Sequence, residues 1–493
     1  MHKHLFLLLI SGIIIPFYSV SQVKVEGIVY VDKNKDGKYQ QGEKLLKDVL
    51  ISSGDTIVKT TRKGTYRITA ANGSSVFPVL PGNFGFNTQG ISSRAFKFID
   101  FESKESVIRH DFALIPVDNP TEFRVDVIGD VQVNDMEELH YAQQTVFSEL
   151  MQNGNKDFTL FMGDLSNDND SMLLKVRDCI ASLPSKSWSI VGNHDLTEAK
   201  PRSSTLFNQL LGTDVFAFFR GKACFIGLNN SKGYVPQPQI RFIRQLMQLL
   251  PKDILPVICQ HIPLYSVSNR KEVLETIGSR SCLVLSAHAH NVSRHIWNKN
   301  INEWVVGAAC GSWWVGEKDY RGIPSALQQC GAPRNYFQLF MNGTDYHLKF
   351  KGVDLDPSHQ MNIWIKGQDV LDDSIAALSR LPEGLVVANI YAGSDSTKVE
   401  YSLNGSDWML MSHTDMADPT VTRIIEWNSR KYYPTKYSKK IPLRKHNSPH
   451  IWTCKLPKLE EGSHIIKIRA SDNYGLLPIE QSRIFYISKK VNK

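Results

Sequence analysis

Hydrophobic and polar positions follow three rhythms along the chain. Between residues 22 and 117 apolar positions mostly alternate with polar ones: Val23, Val25, Ile28, Val29 and Val31, then Val49 and Ile51, then Ile57-Val58. Gly64-Thr65-Tyr66-Arg67-Ile68 follows a turn. A period of two without a long helical period predicts a small β-sandwich. Pro116 and Asp118-Asn119-Pro120 predict a linker. From 121 to about 310, short apolar runs alternate with helix-period segments. The runs Phe123–Ile128, Phe158–Met162, Trp188–Val191, Cys224–Leu228, Pro256–Cys259 and Cys282–Leu285 predict strands, with helices such as Met136–Met151 and Gln239–Leu250 between them. That alternation predicts an α/β domain. From about Asn335 to Lys493 the chain is strand-rich again. Val399–Leu403 runs into Asn404-Gly405, a hairpin turn, and Ile465–Arg469 alternates up to the turn Asp472–Gly475. The expected fold is therefore multi-domain: an N-terminal β-sandwich over 22–117, an α/β domain over 121–325, and a second β-sandwich over 335–493.

Composition agrees with this division. The 493 residues leave room for roughly three domains. Apolar residues at 42% and charged residues at 22% argue against a mostly disordered chain and against a multi-span membrane protein. Seven cysteines are too few, and odd in number, for a disulfide scaffold. A net charge of +8 permits acidic substrates without indicating nucleic acid. Lys3, flanked by His2 and His4, precedes an apolar run from Leu5 to Phe17. The run is short of the roughly 20 residues that cross a bilayer but fits a secretory signal, and Ser19-Val20-Ser21 offers cleavage before Gln22. The alternative is a membrane anchor. No later stretch is apolar enough to span. The expectation is a signal peptide over 1–21 and a periplasmic or secreted protein, whose cysteines the sequence cannot pair.

Five of the central strands end in residues suited to metal binding. They give Gly129-Asp130-Val131-Gln132, Gly163-Asp164-Leu165-Ser166-Asn167, Gly192-Asn193-His194-Asp195, Gln260-His261 and Ala287-His288-Ala289-His290. In an open α/β sheet, sites form beyond the carboxyl ends of the strands, so five such ends point to one place. Alone, each is a common turn or a core histidine; the ordered set is not.

The set Asp130-x-Gln132, Gly163-Asp164, Gly192-Asn193-His194-Asp195, His261 and His288-x-His290 resembles the calcineurin-like metallophosphoesterases. The resemblance covers about 180 residues. It implies a β-sandwich flanked by helices with two divalent ions, Mn, Fe or Zn, at its edge. Two such ions clamp a phosphoryl group and activate a water or hydroxide between them. On this reading Asp164 bridges, Asp130, Gln132 and His290 complete one ion, and Asn193, His261 and His288 hold the other. His194 is the residue that protonates the leaving oxygen or stabilises the phosphoryl group, with Asn167 or Asp168 orienting it. The flanking domains, with Gly311-Ser312-Trp313-Trp314 and Gly322-Ile323-Pro324, are similar to those of an exported bacterial subgroup with an N-terminal β-domain and a C-terminal Ig-like domain. Two departures stand out: Gln132 where the family commonly has His, and Ala287 where it usually has Gly. The implied substrate is a phosphorylated small molecule, lipid or glycan. Neither mono- nor diesterase action nor oligomeric state follows. The competing class is an extracellular binding protein that works through its β-domains while the middle domain is inert or weak.

Three further features carry chemistry. Asp32-Lys33-Asn34-Lys35-Asp36-Gly37, with Glu43, matches a calcium-loop pattern. Asp32, Asn34, Asp36, Glu43 and the Lys38 carbonyl would be ligands for a structural calcium; the alternative is a solvated hairpin turn. Trp313, Trp314 and Arg321 offer aromatic faces and a guanidinium to the part of a substrate beyond the phosphate, or else pack a domain interface. Between Arg423 and Lys445 the chain is basic, with Tyr432, Tyr433 and Tyr437 interleaved. That segment suits an acidic polymer or a solvated loop, and no nucleic-acid partner is expected.

Overall fold

The computed structural model describes residues 22–87, 91, 96–154, 156–198, 200, 202–369, 372, 374–429 and 442–488. The expected signal peptide, 1–21, lies outside the described residues, as do Tyr432, Tyr433 and Tyr437.

The central domain is a sandwich of two sheets. One sheet places Lys186–Ser189, Phe158–Phe161 and Glu122–Ile128 parallel to one another, then adds Asn335–Asn342 and Asp345–Gly352 antiparallel. In the other, Ala223–Gly227, Leu255–Cys259, Cys282–Ser286 and Ile301–Val306 run parallel, with Phe216–Arg220 and Val292–Trp297 as antiparallel edges. Successive side chains point to opposite faces. Val125, Val127, Leu160, Phe225, Val257, Leu283 and Leu285 fill the space between the sheets. Ile128 and Phe161 face outward against Leu139 and Val146 of the segment 136–152 and against Leu173 and Val176 of Asp170–Ala181. Ile226, Ile258 and Val284 meet Ile240, Ile243 and Leu246 of Gln237–Leu249 and Val273 of Arg270–Ile277 on the other side. Both faces of Ala223–Gly227, Leu255–Cys259 and Cys282–Ser286 are buried, which is why these parallel strands read as nearly continuous apolar runs. Fully burying one such side chain contributes about 1.5–3 kcal/mol.

The helix expected over Met136–Met151 begins where Asp135 caps it, its carboxylate accepting from the Glu138 N–H at 3.0 Å. Its middle turn, Gln143–Phe147, is wound as a π-helix between Met136–Ala142 and Ser148–Gln152.

The N-terminal domain is a sandwich of two short-stranded sheets, one centred on Gln22–Val31 paired with Thr65–Ala71 and Phe112–Pro116, the other on Leu50–Ser52 and Ser75–Pro78. The linker is tied down: the Asn119 side-chain oxygen accepts from the Gly221 N–H at 2.6 Å, and Arg220 donates to the Asp118 carbonyl. The C-terminal domain packs Met361–Ile365, Leu385–Ile390, Ile451–Lys455 and Ser412–His413 against Lys398–Leu403, Gly462–Ser471, Ile479–Ile487 and Met409–Leu410. The expected boundary at Asn335 is corrected. Asn335–Asn342 and Asp345–Gly352 complete the first central sheet, because Phe337 to Asn342 pair antiparallel with Val127 to Glu122. The second sandwich begins at Met361. It is fastened to the central domain by a buried ion pair, Arg294 to Asp472 at 2.6 Å. All seven cysteines are unpaired.

Candidate metal centre

Parallel strands send their carboxyl ends to the same edge, and short connections hold those ends together. The Ala309 N–H donates to the Gly129 carbonyl at 2.9 Å, the Cys310 N–H to the Asp130 carbonyl at 3.0 Å, and the Ala287 N–H to the His261 carbonyl at 2.9 Å. The clearances are small: a Cβ added at Gly192 would stand 2.1 Å from both the Asp164 nitrogen and its Oδ1. Only glycine lets these two turns touch.

Six expected donors come together there. The His261 Nε2 lies 3.1 Å from Asp164 Oδ2, 3.2 Å from Asn193 Oδ1 and 3.2 Å from His288 Nδ1. Asp130 Oδ2 accepts from the His288 N–H at 3.0 Å, and His290 Nε2 is 3.8 Å from Asp130 Oδ1. One ligand atom each from Asp164, His261 and His288 lies within 4.8 Å of the others, a grouping a cation can bridge. Gln132 stands beside them with its Nε2 donating to Asn167 Oδ1 at 3.2 Å.

The backbone here is strained. Fifteen described non-glycine residues have positive φ, and eight are Asp130, Gln132, Asp164, Asp168, His288, His290, Trp313 and Trp314. Such conformations persist only where the surroundings over-determine them, and they cluster at functional sites. Asp195 supplies part of that constraint: its carboxylate, buried, accepts from the N–H groups of Leu165 at 2.8 Å, Ser166 at 3.0 Å and Gly192 at 3.0 Å. Burial and the neighbouring Asp164 raise its carboxyl to about 6.

Two histidines have their tautomers fixed from behind. The His261 Nδ1 donates to the Met162 carbonyl at 2.8 Å and the His290 Nδ1 to the Gly311 carbonyl at 2.5 Å, so each presents Nε2 to the centre. Burial lowers His290 to about 4; burial and then the charge of His261 lower His288 to about 4. Both are therefore neutral at pH 7, as metal ligands must be. Burial disfavours charge on His261, but the Asp164 carboxylate outweighs it and raises the ring to about 9, so here a proton on Nε2 takes the place against Asp164 that a metal ion would take by displacing it. Burial likewise raises Asp164, and His261 outweighs it, holding the carboxyl down at about 2. Burial pushes the Asp130 carboxyl well above the usual range. Asp130 Oδ1 and Gln132 Oε1 are buried without hydrogen-bond partners. Oxygen atoms in that condition are costly unless a cation or proton faces them, so the donor set fits divalent metal ions.

The remaining expected residues divide. The His194 Nδ1 is 2.8 Å from Asp168 Oδ2, and the His194 N–H donates to Asp164 Oδ1 at 2.8 Å. Asp168, not Asn167, thus orients His194; Asn167 accepts from Gln132 instead. Trp313 is 40% exposed and stacks on His290 with ring centroids 4.1 Å apart. Trp314 is corrected: it is buried, with its Nε1 donating to the Val131 carbonyl at 3.0 Å and Arg334 over its ring. It shapes the Asp130–Gln132 turn and offers no face to a substrate. Arg321 is likewise committed, to Asp319 at 2.9 Å and Asp354 at 2.6 Å. Asp32, Asn34, Asp36, Lys38 and Glu43 form a separate loop in the N-terminal domain. In the basic segment, Arg423 pairs with Asp372 at 3.1 Å. Sequence reasoning missed Arg202, which grips Asp168 from the side opposite His194 and also donates to the Leu196 carbonyl at 3.1 Å. Nothing in its polar surroundings marks it. Asp195 carried a signal as the last residue of Gly192-Asn193-His194-Asp195.

Two segments match family models: residues 123–293 match Calcineurin-like phosphoesterase, and residues 303–476 match C terminal of Calcineurin-like phosphoesterase. The chain carries a calcineurin-like phosphoesterase domain followed by the C-terminal domain of that family, and metal-dependent hydrolysis of phosphoesters is the activity these matches support. Among solved structures, a dimetal phosphatase from Danio rerio is similar over 47% of this chain and 96% of its own, at 12% identity and a TM-score of 0.36. A 5′-nucleotidase from Candida albicans SC5314 is similar over 73% of this chain and 90% of its own, at 9% identity and a TM-score of 0.30. A metallophosphoesterase from Sphaerobacter thermophilus is similar over 47% and 88%, at 13% identity and a TM-score of 0.25. No curated protein matches the chain.

Proposed function

We propose that this protein is an exported two-metal phosphoesterase that hydrolyses a phosphorylated small molecule, lipid or glycan directly, without a covalent enzyme intermediate. The observation that carries the reading is the convergence of Asp164, His261 and His288 ligand atoms within 4.8 Å, beside two buried, unpartnered oxygens. Asp130, Gln132, Asp164 and His290 would hold one ion, and Asp164, Asn193, His261 and His288 would hold the other. Mn, Fe or Zn there would neutralise the phosphoryl charge and acidify the attacking water. Asp168 occupies Nδ1 of His194, which leaves Nε2 to carry a proton to the departing oxygen. Arg202 holds Asp168 in place. The exposed Trp313, seated on His290, is the surface against which an apolar leaving group would lie. Export is supported by the Leu5–Phe17 run and by Ser19-Val20-Ser21.

The test is hydrolysis of nitrophenyl phosphate and bis-nitrophenyl phosphate by chelated protein, before and after Mn, Fe or Zn is added back. Metal-dependent turnover of either ester is expected, and their ratio separates monoesterase from diesterase action. Protein that binds metal but turns over neither ester would favour the extracellular binding protein instead.

A further inference from the structure

The loop between Gln22–Val31 and Leu50–Ser52 carries chemistry that the phosphoesterase centre does not use. Its acidic and amide groups are folded over one another. Asp32 Oδ2 accepts from the Gly37 N–H at 2.9 Å, Asn34 Oδ1 from the Asp36 N–H at 3.3 Å, and Asp36 Oδ1 from the Lys38 N–H at 2.8 Å. Glu43 reaches back across the loop, Oε1 accepting from the Lys33 N–H at 3.0 Å and Oε2 from the Gln40 N–H at 2.9 Å. The structure adds a residue to the expected set: Gln40, whose Nε2 lies 2.7 Å from Asp36 Oδ2 and whose Oε1 accepts from Asn34 at 3.1 Å.

Such turns alone would be an ordinary hydrogen-bonded loop. The decisive atom is Asp32 Oδ1. Asp32 is 1% exposed, and this oxygen has no hydrogen-bond partner, while its sister oxygen is held by the Gly37 N–H that turns the carboxylate over the loop. A buried, unpartnered carboxylate oxygen is costly unless a cation faces it. No basic side chain supplies one: the ion pairs of this domain among the described residues engage Glu26, Asp48 and Asp55. The negative field is felt nearby, since burial, Asp32 and Glu43 raise the Tyr30 hydroxyl to about 12.

We propose that the Asp32–Glu43 loop is a calcium site, with Asp32, Asn34, Asp36, Gln40, Glu43 and the Lys38 carbonyl as ligands, which fastens the end of Gln22–Val31 in the N-terminal domain. The donors are all oxygen, with three carboxylates, which selects a hard cation. Their number and their flexible backbone suit calcium, which takes 6–8 oxygens, better than magnesium. The site is independent of the phosphoesterase centre, whose donors lie on other strands and include imidazole.

The test uses the full chain with its phosphoesterase centre saturated with Mn. Calorimetric titration with calcium should give one site per chain, retained against a tenfold excess of magnesium. Asp36→Ala, in an exposed part of the loop, and Asp32→Asn should each weaken calcium binding at least tenfold and leave nitrophenyl phosphate turnover unchanged. His288→Ala should lose turnover yet bind calcium as before. No uptake at about 10 mM calcium, well above the range of extracellular calcium modules, would overturn the site. So would uptake that survives both loop substitutions or disappears in His288→Ala, while displacement by magnesium would overturn the choice of calcium.

Discussion

In the central domain, expected donors scattered from Asp130 to His290 meet at the edge of two sheets; all are buried except Asn193 and His288, which are half-buried. In the N-terminal domain, the oxygens of the Asp32–Glu43 loop come from twelve consecutive residues, and most of them are exposed. The first cluster mixes imidazole with carboxylate; the second is all oxygen. The first depends on strained turns that neighbouring strands impose, as Gly192 pressed on Asp164 shows. The second is shaped by its own side-chain-to-backbone hydrogen bonds, which would form in almost any hairpin of this sequence. A cluster assembled by tertiary structure can be damaged from many places. A cluster assembled locally is damaged only from within.

Substitutions can break or sharpen that contrast. The largest effect is expected from Asp164→Asn, which should lower turnover by several orders of magnitude and release metal, because one carboxylate would serve both ions. Near wild-type rate and metal content would dissolve the central cluster as a metal centre. His194→Ala should keep its metals and lose about 10²–10⁴-fold in rate on alkyl phosphates. The loss should shrink on nitrophenyl esters, whose leaving group barely needs a proton; equal losses would assign His194 to electrostatic stabilisation. Arg202→Ala should cost about tenfold on alkyl phosphates by loosening Asp168, with Arg202→Lys recovering part of it. An unchanged rate would make that contact structural only. Gln132→His should alter metal preference more than rate. Recovery after chelation should show two phases with Mn in the parent and one phase, shifted toward Zn, in the variant, since imidazole is the softer ligand. A single phase in both would mean that Gln132 holds no ion. The smallest effect belongs to the loop. Gly37 has φ +74°, so Gly37→Ala should destabilise the N-terminal domain by about 1–2 kcal/mol, seen as an earlier melting transition, with turnover untouched. A drop in turnover would show that the two clusters are coupled.

Much of this was legible in the chain. The apolar runs of the central domain became strands within about two residues of their expected ends, because burial on both faces leaves a mostly apolar signature. The residues after those strands meet as expected, since parallel strands deliver their carboxyl ends to one edge. The turn at Asp32–Glu43 was legible for the opposite reason, its geometry being local. Tertiary structure decided the rest. Asn335–Asn342 looks like any strand of the last domain, and only its register against Glu122–Ile128 assigns it to the central sheet. Asn167 and Asp168 are adjacent in sequence, but the turn's positive φ at Asp168 brings the latter to His194 and leaves Asn167 to Gln132. Trp313 and Trp314 are equally adjacent, yet one is stacked on His290 in the open and the other is sealed under Arg334. Local sequence determines which groups are present and how a strand or turn begins. Which of two neighbouring side chains faces the centre depends on backbone torsions set by distant packing, and those are fixed only when the two sheets close on each other.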